Sequence, residues 1–123
     1  MMERLTKTAV CKRYGIPTYE TFVQRDNTFE CLRIYYHETA IATIYDSGKV
    51  KIDNGGWYTP TTKKRINAIL SALGLPYFIR QVQWEWYLVD MSGVTYPVVF
   101  GKSNWNGATP GIWFDTNTKA LVP

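Results

Sequence analysis

The sequence predicts an α+β fold: a curved antiparallel sheet of about five to seven strands, with one amphipathic helix near residues 60–73 packed on one face. Three observations carry this. Runs of β-branched and aromatic residues with period-two alternation recur along the chain, most cleanly in Lys49-Val50-Lys51-Ile52-Asp53. Short Gly-containing turns, Asp46-Ser47-Gly48 and Ser92-Gly93, separate such runs and suit hairpins. One segment alone has a convincing helical stripe, with Ile66, Ile69, Leu70 and Leu73 at i, i+3, i+4 and i+7.

Taken in order, Thr8-Ala9-Val10-Cys11 reads as a short strand broken by Gly15-Ile16-Pro17. Thr18 to Gln24 reads as a second strand, and Arg25-Asp26-Asn27 as a turn. Phe29 to Tyr36, Ala40 to Tyr45 and Lys49 to Asp53 form an antiparallel meander, with Val50 and Ile52 facing inward. The helix has Thr59 as N-cap, with Thr61 as an alternative, and Pro60 at its first position. Gly74 suits a left-handed cap, and Pro76 prevents continuation. Tyr77 to Asp90 is β-rich, with Val82, Trp84, Trp86 and Leu88 on the inward side. A tight turn near Gln81 to Gln83 would split it into a hairpin and expose one Trp. Val94 to Phe100 follows as an edge strand because of Pro97. Gly101 to Gly111 is a loop, and Ile112-Trp113-Phe114 a last short strand or a tail anchor.

The 123 residues suggest a single domain, 1–123, in which 1–27 and 101–123 are peripheral to a 28–100 core. Hydrophobic residues at 46% against 20% charged exclude a disordered chain. Five Trp and nine Tyr exceed what a minimal core needs, so some rings are expected at a binding surface. A net charge of +4 permits an anionic partner without the dense basic stripe of a duplex-DNA binder. Cys11 and Cys31 make neither a disulfide framework nor a C-x-x-C motif. There is no apolar run of signal-peptide length, and none near the roughly 18 residues of a membrane span, so a soluble intracellular protein without membrane contact is expected.

The segment with most chemical content is Asn54-Gly55-Gly56-Trp57-Tyr58-Thr59-Pro60-Thr61-Thr62-Lys63-Lys64-Arg65. A helix N-terminus carries partial positive charge and favours acids, yet this one opens with hydroxyls and three consecutive cations. Thr61, Thr62, Lys63, Lys64 and Arg65 therefore form a candidate anion site, with Gly55 and Gly56 allowing close approach to the backbone. Trp57 and Tyr58 are candidate stacking residues, as is Trp105 in its Asn- and Gly-rich loop. The competing reading has the lysines solvated, the glycines turning the chain and Trp57 in the core. The segment is not a P-loop, since G-x-x-x-x-G-K-[ST] is absent.

Enzyme chemistry finds little support. His37 is the only histidine, and adjacent Glu38 would point to the opposite strand face, so no triad is evident. One His and two scattered Cys give no zinc set, and no metal or cofactor is expected. The carboxylates lie mostly at turns or on polar strand faces.

The combined pattern Tyr36-His37-Glu38-Thr39-Ala40-Ile41, Gly55-Gly56-Trp57-Tyr58-Thr59, Thr61-Thr62-Lys63, Arg65-Ile66-Asn67 and a following Trp-Tyr strand resembles a group of small bacteriophage and prophage accessory proteins. Their shared pattern is YH-x-T-x-I … GGW-x-T-x-TTK-x-RIN … WY, which covers roughly residues 34 to 89 here. The resemblance implies a viral accessory protein acting in the host cytoplasm. By analogy with other small phage proteins it implies a role against host defence, as anti-CRISPR proteins or sponges of nucleotide signals have. It brings no catalytic residues. Two modes of binding follow as expectations. In the first, an anionic partner, either a nucleotide signal or a nucleic-acid-bearing complex, is gripped at the helix start. In the second, a host defence protein is inhibited through an aromatic surface anchored by Trp105, Trp113 and Tyr87. A homodimer would suit a sponge.

Overall fold

The computed structural model describes residues 6–98 and 111–122, which form an α+β protein dominated by antiparallel sheet. The chain runs through α1 (Lys7–Tyr14), β1 (Thr21–Asp26), β2 (Cys31–Tyr36), β3 (Thr39–Tyr45), β4 (Lys49–Ile52), α2 (Pro60–Ala72), β5 (Tyr77–Val82), β6 (Glu85–Asp90), β7 (Thr95–Val98), β8 (Ile112–Asp115) and β9 (Ala120–Val122). The strands make two sheets, one ordered β1-β2-β3-β4-β8-β9 and one ordered β5-β6-β7.

The first element corrects the sequence reading. Thr8 to Cys11 lies in a helix, not a strand. Thr6 caps it by accepting the Ala9 N–H at 3.1 Å, and Gly15 closes it at φ 67°. Its buried residues Val10, Cys11 and Tyr14 share one helical face, a spacing that four residues of apparent alternation cannot distinguish from a strand.

The meander forms as expected, and β8 extends it by pairing with β4, setting Val50 against Phe114. Val50 and Ile52 are fully buried. The long β-rich run after α2 splits at Gln83-Trp84, whose φ values of 49° and 71° make a two-residue hairpin turn. That break puts Trp84 in solvent, 87% exposed, while Trp86 is buried. Inward Trp84 is therefore corrected: a turn resets the alternation. Pro97 lies in β7, an edge strand, where its missing N–H costs no ladder bond.

Helix α2 begins and ends where its sequence signals place it. The Thr59 hydroxyl accepts the Thr62 N–H, Pro60 opens the helix, and Gly74 turns the chain at φ 71°. Ile66, Ile69 and Leu70 are fully buried, and the helix packs against β5, β3 and α1. Asn67 ties it to the smaller sheet: its Nδ2 donates to the Ile79 carbonyl at 2.9 Å, and its Oδ1 accepts the Ile79 N–H at 2.6 Å. Asn67→Leu strips both partners from the Ile79 peptide groups, and we expect a loss of about 2 kcal/mol in a urea melt.

One contiguous cluster of buried residues joins both sheets and both helices. It takes in Val10, Cys11, Tyr14 and Ile16 near the amino end and Phe114 near the carboxyl end, so segments expected to be peripheral contribute to the core. Cys11 and Cys31 are free and buried, and burial pushes both thiols upward, which makes them apolar filler rather than nucleophiles. Among the described residues, no helix is long and apolar enough to cross a membrane.

Candidate functional site: a cavity at the start of α2

After β4 the chain must turn sharply to reach α2, and its own side chains shape the turn. Asp53 Oδ1 accepts the Gly55 N–H and Asn54 Oδ1 the Gly56 N–H, each at 2.9 Å, and the Trp57 N–H donates to the Asn54 carbonyl. Gly55, at φ 61°, presses on β3: a Cβ there would lie 2.6 Å from Thr39 Oγ1. It therefore seats the loop against the sheet. Gly56 faces open space.

This loop, the β2–β3 turn and the first turn of α2 line a half-open cavity of about 440 Å³. The turn supplies His37 and Glu38, and the strands beside it supply Tyr36, Thr39 and Ile41. The loop supplies Asn54 and Trp57, and the helix start Thr59 and Thr62. Trp57 is 65% exposed, so it is a cavity wall and not core. Asn54 is fully buried, and its Nδ2 has no hydrogen-bond partner among the described residues.

The cations of the candidate anion site separate. Three consecutive helical residues span about 200° of the helix circumference, so they cannot share one face. Arg65 falls on the buried stripe with Thr62, Ile66 and Ile69 and is 3% exposed. Its guanidinium bonds to the Thr21 hydroxyl, donates to the Tyr19 carbonyl at 2.6 Å and to the Pro17 carbonyl at 3.4 Å, and lies 4.3 Å from the centre of the Tyr36 ring. Its expected place among the anion donors is corrected: it is a clamp between α2 and the chain entering β1. Lys63 is half-buried and Lys64 exposed; neither lines the cavity, and among the described residues neither has an ion-pair partner.

The free N–H groups at the helix start are also fewer than expected. Pro60 has none, the Thr62 N–H goes to the Thr59 hydroxyl, and the Lys63 N–H goes to the Thr59 carbonyl. The Thr59 and Thr62 hydroxyls lie 2.9 Å apart and bond each other. Thr61 is exposed, at the positive end of the helix dipole.

His37 has a carboxylate partner that the sequence did not reveal. Its Nε2 lies 2.9 Å from Glu20 Oε2, because the turn preceding β1 stands beside the β2–β3 turn. The other candidates are dispersed. Tyr58 sets its ring edge-on to Trp86 at 5.2 Å, Trp113 stacks on Tyr45 at 5.7 Å, and the Tyr87 hydroxyl donates to Glu85. Trp105 lies outside the described residues. No group of three or more His, Cys, Asp or Glu side chains among the described residues is placed to hold a metal ion.

Fold and cavity together define a small, sheet-dominated α+β protein with a partly polar cavity beside a capped helix start. The chain belongs to a bacteriophage family: residues 1–114 match the model of the Kyanoviridae Gp96 protein family. No curated protein and no solved structure gives a significant match.

Proposed function

We propose that this phage protein is a non-enzymatic accessory factor that counters a host defence in the host cytoplasm by binding an anionic partner, a nucleotide signal, at the cavity beside α2. The observation that carries this reading is the cavity itself. Its volume of about 440 Å³ is that of a small-ligand site, and one wall is an exposed indole just ahead of the positive end of a helix. Lys63 and Lys64, in the first turns of that helix and without ion-pair partners among the described residues, supply the charge for phosphate. The binding role is favoured over catalysis because the Thr59 and Thr62 hydroxyls at the cavity bond each other and both thiols are buried elsewhere.

Titration calorimetry with nucleoside 5′-monophosphates tests the reading. The wild-type protein should bind at least one of them, and Lys63→Ala/Lys64→Ala should weaken that binding by about three- to tenfold at low salt, less at high salt. Absence of binding to all of them at millimolar concentration contradicts it.

A second reading, inhibition of a host defence protein through an aromatic surface, is favoured by Trp84 at its hairpin tip and by exposed Phe78 and Val82 on the outer face of β5. Such an interface would respond little to salt and would weaken with Trp84→Ala.

A further inference from the structure

We propose that the free edge of β1 pairs with β1 of a second copy of this chain, antiparallel and about a two-fold axis at Gln24, so that the six-stranded sheet runs on from one copy into the other. The inference is independent of what the cavity binds.

Hydrogen-bond parity fixes which peptide groups of β1 face outward. The β1–β2 ladder keeps one register from Thr21↔Tyr36 to Asp26↔Cys31, and just before it the His37 N–H donates to the Glu20 carbonyl. Residues that exchange bonds with the neighbouring strand alternate along an antiparallel pair. Phe22, Gln24 and Asp26 therefore bond to β2, and Thr21, Val23 and Arg25 turn their peptide groups to the open side. The Thr21 N–H is taken by the Thr18 carbonyl at 3.2 Å, whereas Val23 and Arg25 have no backbone partner there among the described residues.

The other sheet ends are blocked. At β9 the Leu121 N–H donates to the Tyr77 hydroxyl at 3.0 Å. At β5 the Ile79 peptide groups are held by Asn67. β7 carries Pro97, which has no N–H to offer. β1 has none of these devices and contains no Pro, Gly or Lys. Its Phe22 ring is exposed beside that of Tyr35, with centroids 5.7 Å apart.

A second copy fits this edge because the open groups are self-complementary. An axis at Gln24 sets Val23 opposite Arg25 of the other copy, and the N–H and carbonyl groups of both residues are satisfied at once. Arg25 is neutralised by Asp46 and Asp26 by Arg33 within each chain, so two identical strands meet without uncompensated like charges. The two copies of Gln24 then face each other as a non-hydrogen-bonded pair, with Cα atoms about 4.5 Å apart.

One strand pair is a small interface, so self-association of the full chain is read by sedimentation velocity up to about 1 mM. We expect dimers that form as concentration rises. Val23→Pro deletes an outward N–H but no bond to β2, and should weaken dimerisation at least about tenfold while leaving the far-ultraviolet spectrum unchanged. Gln24→Cys should link two copies through a disulfide under mild oxidation, because the native thiols are buried, whereas Thr28→Cys, beyond the end of β1, should not. If Val23→Pro fails to fold, the Gln24→Cys cross-link decides. Dimers that persist unchanged in folded Val23→Pro, or that leave Gln24→Cys unlinked, overturn the inference. So does a chain that stays monomeric to about 1 mM, even where a strand of another protein takes the edge.

Discussion

Replacing Arg65 with methionine should lower the stability of the protein by about 3 kcal/mol and leave the nucleotide affinity of the folded protein unchanged. The guanidinium is buried, and it holds the Thr21 hydroxyl and two backbone carbonyls, of Pro17 and Tyr19, that precede β1. Methionine fills much of the space but donates nothing, so those oxygens lose a charged donor in a water-poor site. The face of Tyr36 also loses its cation. Arg65→Lys should recover only part of the loss, because an ammonium cannot fork to acceptors spread over Pro17, Tyr19 and Thr21. Lys64→Met, on the exposed side of the same turn, should change stability by less than about 0.5 kcal/mol. Urea denaturation of the three variants checks this. A stable Arg65→Met protein that has lost its ligand would return Arg65 to the binding site.

Replacing Trp57 with alanine should have the opposite signature: a large loss of binding with little loss of stability. Stacking of a base on an aromatic side chain contributes about 1–3 kcal/mol, so nucleoside affinity should fall by about 5- to 150-fold. The ring is 65% exposed and buries little apolar area on folding, so the urea midpoint should scarcely move. Trp57→Phe should restore much of the affinity, since a smaller aromatic face remains. Equal loss of stability and binding would instead make Trp57 a structural prop of the loop. The paired variants thus separate two residues eight positions apart that the fold sends to different tasks.

The elements of the fold that the sequence made legible are those with redundant local signals. Helix α2 has a cap, a proline, a four-residue apolar stripe and a terminal glycine, all in agreement, and its boundaries follow. β4 alternates cleanly and its inward face was legible, whereas β2 and β3 meet with a register shift between Ile34 and Tyr35 that their residues do not announce. Helix α1 was missed because its eight residues have a weak stripe, and only Thr6 and Gly15 mark its ends. The division into two sheets was also hidden, because pairing of β8 with β4 joins residues about sixty positions apart and leaves no local trace.

The site divides the same way. Trp57 and the helix start stood out because they break local rules, and the cavity lies beside them. Treating Lys63, Lys64 and Arg65 as one cluster ignored the helical turn that directs Arg65 inward, a signal already present in its i+4 spacing to Ile69. Asn54 read only as half of a turn dipeptide. That its amide is buried and half-satisfied depends on Gly56, on the β2–β3 turn and on the cavity, none of which a linear reading brings together. The Glu20–His37 pair likewise exists only once two turns stand side by side.

The most direct test of the central claim, that the cavity at the start of α2 holds a nucleotide, is a crystal of the protein grown with the tightest-binding nucleoside 5′-monophosphate. Density for the nucleotide is expected in the cavity, with its base stacked on Trp57. A nucleotide bound elsewhere on the protein, with this cavity unfilled, would contradict it.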